Sequence, residues 1–301
     1  MSAKLRESVL EPVRKFGRLF IANQFWLSRS FDRLLPSHFR IDGSKSFIEE
    51  VAWSYVRPGM SVYDIGGGKH PLVDPAKKAQ LGLRVTGLDV DASELAQAPA
   101  GCYDDVCCCD IAEYRGSGTA DLVICQATLE HVHDNAKAIA AIASVLRPGG
   151  TAAIFAPSRH AAYARLNLVL PEKVTRKMLD FVCPSNKGSH GFRAYYDKCS
   201  IRELCALGRQ NGLEVASIHP YYLSGYFGIF FPAYVIWRLW FLLNYAVNRE
   251  RAAETFTIIF RKPLKTGREE ISPLKPCAGE QVTAYARRYS QNLQAVKRQA
   301  K

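Results

Sequence analysis

The alternation of short apolar segments with helical segments constrains the fold of this chain more than any other feature. Between residues 45 and 157, strands are predicted at 60–66, 83–90, 102–111, 120–126 and 151–157, and helices at 44–56 and 136–146. Successive parallel strands are joined by crossover connections, and the segments between these strands can serve as such connections. The pattern therefore predicts a doubly wound α/β sheet that is mostly parallel.

The rest of the chain divides into a continuation of this domain and two flanking segments. A helix at 200–212, ended by Gly212, and strands at 213–221 and 254–263 extend the domain over residues 44–264. Residues 1–43 are predicted to be a basic, amphipathic helical extension that is broken or begins near Pro12, with Val9, Val13, Phe16 and Phe20 at helical spacing. We expect it to pack on the domain through these residues, and the alternative is a helix that lies on an anionic membrane surface. Residues 265–301 are a polar, basic tail.

Acidic residues and glycines follow the first three predicted strands. The first strand leads into Asp64 and the glycines of residues 66–68, which let a ligand approach the backbone closely. Asp89 ends the second strand, where a carboxylate can accept both hydroxyls of a ribose, although it could instead cap the helix that begins DASEL. Asp110 ends the third strand. The residues after Gly68 are Lys69, His70 and Pro71, so the G-x-G-x-x-G spacing of dinucleotide sites is absent.

This ordered set, with L-E-H-V at 129–132 and R-P-G-G at 147–150, resembles the class I S-adenosylmethionine-dependent methyltransferases. Within that class it is most similar to the small-molecule and glycan branch called type 11, over residues 44–262. The resemblance implies a Rossmann-like, seven-stranded sheet with an antiparallel last strand, and S-adenosylmethionine as cofactor. His70 stands where the family usually has a third glycine, so we expect a short or displaced helix after the turn.

The resemblance also implies roles for individual residues. The methionine end of the cofactor is assigned to Asp64, Gly66, Gly67 and Gly68, the ribose to Asp89, the adenine to Val90, Asp110 and Ile111, and the reactive end to Gln126. A histidine suits the removal of a proton from an alcohol acceptor. His131, after the fourth strand, and His190 are the candidate catalytic bases, and the alternative for His131 is a residue that shapes the pocket. Arg193 is either an anchor for an acidic acceptor or a surface residue.

The stretch YFGIFFPAYVIWRLWFLL, residues 226–243, has Arg238 as its only charge. It lies in an insertion, residues 221–250, between the sixth and seventh strands, which pair in this fold, so it must return to the side that it left. We expect a membrane-surface segment at 226–248, bent by Pro232, with Arg238, Arg249 and Arg251 near the headgroups. The alternative is a segment that covers the domain or a homodimer partner.

These features predict a peripheral protein on the cytoplasmic face of a membrane that O-methylates a lipid, a quinone precursor or a lipid-linked sugar, with a sugar hydroxyl as first choice. The net charge of +12 favours acidic partners. Nucleic acid is disfavoured because no N-P-P-Y motif follows the fourth strand, which leaves an RNA methyltransferase as a minor alternative. A nicotinamide-linked reductase and a non-catalytic scaffold are the others. The nine cysteines show no zinc spacing and are expected to be reduced thiols, and no metal site is predicted.

Overall fold

The computed structural model describes residues 3–169, 192–224 and 227–264, with the backbone alone for residues 3–14 and 18. At its centre is a seven-stranded sheet of order β3-β2-β1-β4-β5-β7-β6. The strands are β1 Ser61–Ile65, β2 Arg84–Asp89, β3 Asp105–Cys108, β4 Ala120–Gln126, β5 Leu146–Pro157, β6 Glu214–Tyr221 and β7 Thr255–Arg261. Strands β1 to β5 are parallel, and β7 runs antiparallel to both β5 and β6. The predicted fold class, including the antiparallel last strand, is confirmed.

Eight α-helices surround or flank the sheet in the described part of the chain. They are α1 Ala3–Asp32, α2 Gly43–Ser46, α3 Pro75–Leu81, α4 Ala92–Ala96, α5 Asn135–Val145, α6 Ala162–Val169, α7 Ile201–Gln210 and α8 Phe231–Asn248. A π turn, Phe47–Val51, and a 3-10 turn, Trp53–Tyr55, continue α2, so the predicted helix at 44–56 is present as three short pieces. Helix α6 was not predicted. His190, a candidate catalytic base, and the predicted tail at 265–301 lie outside the described residues.

Three apolar clusters hold these elements together. One packs α5 and α7 against one face of the sheet, and a second packs residues 41–56 and the neighbourhood of α3 against the other. The third lies at the β6 edge, where aromatic side chains of α8 meet Phe39 and Tyr222. Burial on both faces explains why the central strands read as continuous apolar runs in the sequence.

The helix after the glycine turn is short and displaced, as predicted. Helix α3 begins only at Pro75, and Asp74 caps it by accepting a hydrogen bond from the backbone N–H of Lys77 at 2.8 Å. Pro75 occupies the first turn, where a missing N–H costs nothing. Gly82, with φ of 59°, ends the helix in the left-handed conformation. The intervening residues, which include His70, form a loop at the end of β1.

The insertion leaves the sheet at the same edge as the carboxyl ends of β1, β4 and β5. Tyr221, the last residue of β6, pairs with Thr255 of β7, and Thr255 pairs with Pro157, the last residue of β5. Since β5 and β6 both run antiparallel to β7, their carboxyl ends share one edge. Helix α8 is therefore attached to the edge where ligands bind in open α/β sheets.

Helix α8 is joined to α1 by a buried ion pair, and two sequence-based expectations for this region are wrong. Arg238 is fully buried and donates from Nε to Asp32 of α1 at 2.9 Å, so it is not at a headgroup surface. Its guanidinium also donates to the carbonyls of Tyr222 and Phe39, each at 2.6 Å. Pro232 lies in the first turn of α8 and starts the helix instead of bending it.

The N-terminal helix also differs from its prediction. Helix α1 continues through Pro12 without a break. Phe16 and Phe20, which were expected to pack on the domain, are exposed, because the side of α1 that faces α8 carries polar residues instead. The side chains of Val9 and Val13 are outside the described set. No helix in the described ranges combines the length and the apolar character needed to cross a bilayer.

Candidate functional site

The glycine turn after β1 can be formed only by glycine at its first position. Gly66 has φ of +73°, and a Cβ there would lie 2.1 Å from Oγ1 of Thr128. That hydroxyl donates to the carbonyl of Ile65 at 3.1 Å, while the N–H of Gly66 donates to the carbonyl of Leu88 at 2.7 Å. The turn is thus fixed between β2 and the loop after β4, with its backbone open to the cleft.

Asp64 lies beneath this turn and is almost fully buried. One carboxylate oxygen accepts a hydrogen bond from the backbone N–H of Leu72 at 3.0 Å. A Cβ at Gly67 would lie 2.7 Å from the carboxylate, so only glycine permits this approach. Burial raises the pKa of Asp64 to about 6, and the charge of Asp89 adds to the rise. A positively charged ligand group would relieve this cost.

Asp89 is the second buried carboxylate, at the carboxyl end of β2. Its Oδ1 accepts from the backbone N–H of Asp91 at 3.0 Å, and its Oδ2 lies 3.1 Å from the position of a Cβ on Gly68. Burial raises its pKa, and nearby Glu94 and Asp91 raise it further. The helix-cap alternative for Asp89 is wrong, because Asp91 caps α4 through the N–H of Ser93. The carboxylate of Asp89 remains available to a ligand.

A cavity of about 200 Å³ opens at the carboxyl ends of β1, β2 and β4. Its lining consists of Asp64, Gly66, Gly67, Gly68, His70, Leu72, Asp89, Glu94, Gln126 and Phe192. Six residues assigned to the cofactor thus come together around one cavity. Buried acids at both ends of a glycine cradle supply the hydrogen-bond acceptors that a ligand with hydroxyl and ammonium groups requires, so the residues present fit S-adenosylmethionine.

The three residues assigned to the adenine are not part of that lining. Val90 and Asp110 are exposed, and a carboxylate oxygen of Asp110 accepts from the N–H of Ala112 at 2.8 Å. Ile111 is buried in the core cluster with Leu88. Their contact with an adenine stays a prediction.

Several lining residues were not predicted from the sequence. Glu94 follows Asp89 by five residues and is held by an ion pair from Lys69 at 2.9 Å, which ties the rim of the cavity to α4. Phe192 comes from the segment after residue 191, far from the motifs in sequence. His70 was regarded only as a departure from the family pattern, yet it lines the cavity. The Gly191-Phe192-Arg193 stretch before a helix was the one available signal for Phe192.

The ring of His131 is next to that of Phe192, with the ring centroids 6.4 Å apart, and His131 is not itself in the lining. Its Nδ1 is 3.1 Å from the carbonyl oxygen of Arg193. A carbonyl only accepts, so Nδ1 carries the proton and Nε2 is left as the basic nitrogen. Burial lowers the pKa of His131, which keeps the ring neutral at neutral pH.

Glu130, the neighbour of His131, is a buried acid with an unusual environment. Its Oε1 is 3.8 Å from Nε2 of His131, and its Oε2 has no hydrogen-bond partner among the residues described. Burial raises its pKa to about 8, so the carboxyl is largely protonated at neutral pH. The backbone carbonyl of Glu130 accepts from Tyr195 and Tyr196, which attaches the loop after β4 to the segment that carries Phe192.

Comparison with known proteins gives one family. A model described as a methyltransferase domain matches residues 38–218. The chain is 30% identical over 167 residues to the ubiquinone biosynthesis O-methyltransferase of Aromatoleum aromaticum, covering 53% of this chain and 66% of that protein. It is 28% identical over 203 residues to a methyltransferase, ptaI, of Pestalotiopsis fici, covering 60% of this chain and 54% of that protein. The chain therefore spans less than two thirds of the length of either relative.

Among solved structures, phosphoethanolamine N-methyltransferase 2 of Haemonchus contortus, in complex with S-adenosyl-L-methionine, is 16% identical to the chain. It matches with a TM-score of 0.48 over 78% of this chain and 56% of that one. A methyltransferase from Mesorhizobium loti is also 16% identical, with a TM-score of 0.46, over 71% of this chain and 99% of that one. The family assignment rests on the sequence matches.

Proposed function

Since the chain belongs to the S-adenosylmethionine-dependent methyltransferase family, we propose that it transfers the methyl group of this cofactor to a hydroxyl oxygen of a membrane-associated acceptor. The observation that carries the proposal is the convergence of Asp64, Asp89 and the Gly66–Gly68 turn on one cavity at the carboxyl edge of the sheet. A nicotinamide-linked reductase, the second enzyme class considered, shares the ribose acid but does not account for the family match.

The residues around the cavity divide the binding task. Asp89 would accept hydrogen bonds from the ribose hydroxyls, and its burial makes such charge-assisted bonds strong. Asp64 would place a negative charge near the methionine end, opposite an ammonium group. Gln126, the last residue of β4, lines the cavity and would lie at the border between the cofactor and the acceptor. When bound, S-adenosylmethionine supplies a methyl group activated by a positively charged sulfur.

His131 is the proposed base for the acceptor hydroxyl. The hydrogen bond from Nδ1 to the carbonyl of Arg193 orients the ring and leaves Nε2 free to take a proton. Its lowered pKa keeps Nε2 unprotonated near neutral pH. Phe192 lines the cavity, and its ring centroid is 6.4 Å from that of His131, so an acceptor that enters beside Phe192 would come close to His131. A phenolic hydroxyl, with an ordinary pKa near 10, needs only a weak base of this kind.

The acceptor that we favour is a lipophilic phenol of the quinone-precursor class. The similarity to ubiquinone biosynthesis O-methyltransferases favours a phenolic hydroxyl over the sugar hydroxyl predicted from the sequence. The apolar side chains that α8 exposes at the cavity's edge of the sheet favour an acceptor that resides in a membrane. Both arguments support the proposal that the protein acts as a peripheral enzyme at a membrane surface.

The test is calorimetric binding of S-adenosylmethionine, with NADH as a negative ligand, to the wild type and to Asp89→Ala. Loss of two hydrogen bonds to a charged acceptor, at about 1.5–3 kcal/mol each, weakens binding by at least a hundredfold. Asp105→Ala is the matched control, because Asp105 is an exposed acid on β3 that pairs with Arg84.

Transfer of a labelled methyl group to a prenylated catechol then tests the reaction. Binding that Asp89→Ala leaves unchanged would refute the assigned site. A wild type that binds the cofactor tightly but labels neither the catechol nor a lipid-linked sugar would favour the non-catalytic scaffold.

A further inference from the structure

Helix α8 is apolar on two opposite sides. One side, Tyr234, Trp237 and Phe241, is buried against the domain around Arg238. The outward side carries no charge and consists of exposed residues, Ile236, Leu239, Trp240, Leu243, Ala246 and Val247. Val247 is 81% exposed and Ile236 71%. An ordinary surface helix presents polar residues there, whereas nothing in the described part of the chain covers this apolar side.

Helix α1 has the reverse of the usual amphipathic arrangement. The residues that it buries against α8 are polar and one helical turn apart, Gln24, Ser28 and Asp32. The side chains that it exposes include Phe16, Leu19, Phe20 and Trp26. A helix that turns its polar residues inward and its aromatic residues outward is adapted to an apolar medium on its outer side.

Polar contacts fix these two helices to one another. Asp32 forms the ion pair with Arg238 and also accepts from the hydroxyl of Tyr234. The side chain of Gln24 accepts from the N–H of Phe231 at 2.9 Å. These bonds hold α1 against α8 in a fixed register. The exposed apolar residues of α1 and α8 named above therefore belong to one unit, called here the two-helix surface.

The charges beside the two-helix surface are positive. Lys15 and Arg29 are exposed on α1 and Arg33 just after it, and Arg249 and Arg251 are exposed just after α8. Between Lys15 and Arg40 the only acid is Asp32, which is buried, and between Val215 and Arg251 the only acid is Glu250. Cations around exposed tryptophan and aliphatic side chains complement an anionic lipid surface, whereas two such positive surfaces repel one another.

The position of α8 on the sheet gives this surface a functional consequence. The insertion leaves the sheet at the carboxyl edge, three strands away from the β4 side of the cavity. At about 4.8 Å between strands, that separation is about 14 Å along the edge. A protein resting on α8 therefore keeps its cavity within reach of a lipid headgroup region.

We infer that α1 and α8 together form a docking surface for an anionic lipid bilayer, which holds the carboxyl edge of the sheet at the membrane. The inference rests on the proposed function only in its last step, that the acceptor arrives from the bilayer. It assigns the N-terminal helix a binding role and gives Arg238 an internal one, joining the two helices.

Vesicle flotation of the full chain tests the docking surface directly. We expect the wild type to float with vesicles of equimolar phosphatidylcholine and phosphatidylglycerol and to bind phosphatidylcholine alone much more weakly. Two variants, Leu243→Glu with Val247→Glu on α8 and Phe20→Glu with Trp26→Glu on α1, each reduce the bound fraction at least tenfold. Val106→Glu is the matched control, since Val106 is 61% exposed on β3, at the opposite edge of the sheet.

Charge variants separate electrostatic attraction to anionic lipid from non-specific hydrophobic adsorption. Arg29→Gln with Arg33→Gln should weaken affinity for the anionic vesicles by about fivefold per charge, and salt should have the same direction of effect. Calorimetric binding of S-adenosylmethionine is measured on every variant and is expected to stay unchanged. A failure of docking with intact cofactor binding would overturn this inference alone.

Two outcomes would refute the docking surface. One is a wild type that stays unbound with both vesicle types. The other is sedimentation as a dimer that the α8 variant converts to a monomer without any vesicle binding, because a second copy would then be the partner of this surface.

Discussion

Glu130→Gln tests whether the loop after β4 holds a buried, protonated acid. In the folded protein the pKa of Glu130 is raised from 4.5 to about 8 by burial. Between these values the folded state keeps a proton that the unfolded state has lost, so the free energy of unfolding falls as pH rises. Each pH unit costs about 1.4 kcal/mol, and the interval from pH 5 to pH 7 therefore removes about 3 kcal/mol. Glutamine cannot titrate, so the variant lacks this loss.

The assay is urea unfolding of wild type and Glu130→Gln at pH 5 and pH 7. From pH 5 to pH 7 the free energy of unfolding of the wild type should fall by about 3 kcal/mol more than that of Glu130→Gln. The titration of all other groups is the same in both proteins and cancels in the comparison. Glu113→Gln is the control, because Glu113 is exposed and should follow the wild type. Parallel pH dependences for wild type and Glu130→Gln would show that the carboxyl is ionised, and the argument from burial would be wrong.

Two further substitutions test the fold and the chemistry. Arg238→Met leaves Asp32 buried without its cation and should lower the free energy of unfolding by about 3–5 kcal/mol, measured by urea unfolding. The double variant, Arg238→Met with Asp32→Asn, should recover part of the loss. Additive effects of the two substitutions on the free energy of unfolding would contradict the pairing. His131→Gln should reduce kcat for methyl transfer by about 10²–10⁴ while leaving the calorimetric affinity for S-adenosylmethionine unchanged, and a normal kcat would exclude His131 as the base.

The central sheet was predictable because each strand is a short apolar run with glycine, proline or acidic residues at its ends. Burial on both faces makes such runs distinct, and the acids Asp64 and Asp89 at their carboxyl ends follow from the topology of a parallel sheet. Family resemblance added the antiparallel order of the last strand. These parts of the site are local in sequence, so spacing alone carries the information.

The parts that could not be predicted depend on distant segments. Arg238 looked like a surface charge because its neighbours in sequence are apolar, and its partner Asp32 lies 206 residues away. Phe192 lines the cavity from a segment beyond β5, and the carbonyl of Glu130 accepts hydrogen bonds from the residues that follow it, Tyr195 and Tyr196. Hydrophobic periodicity does not indicate such contacts. They depend on tertiary packing between segments that have no unusual sequence pattern of their own.

The distance in sequence between Asp32 and Arg238 also orders events during synthesis. At about 5–20 residues per second, a ribosome adds the intervening 206 residues in roughly 10–40 s. Throughout that time Asp32 has no cation partner from α8, and the polar side of α1 is hydrated. Helix α1 is thus made well before the partner that fixes it in place.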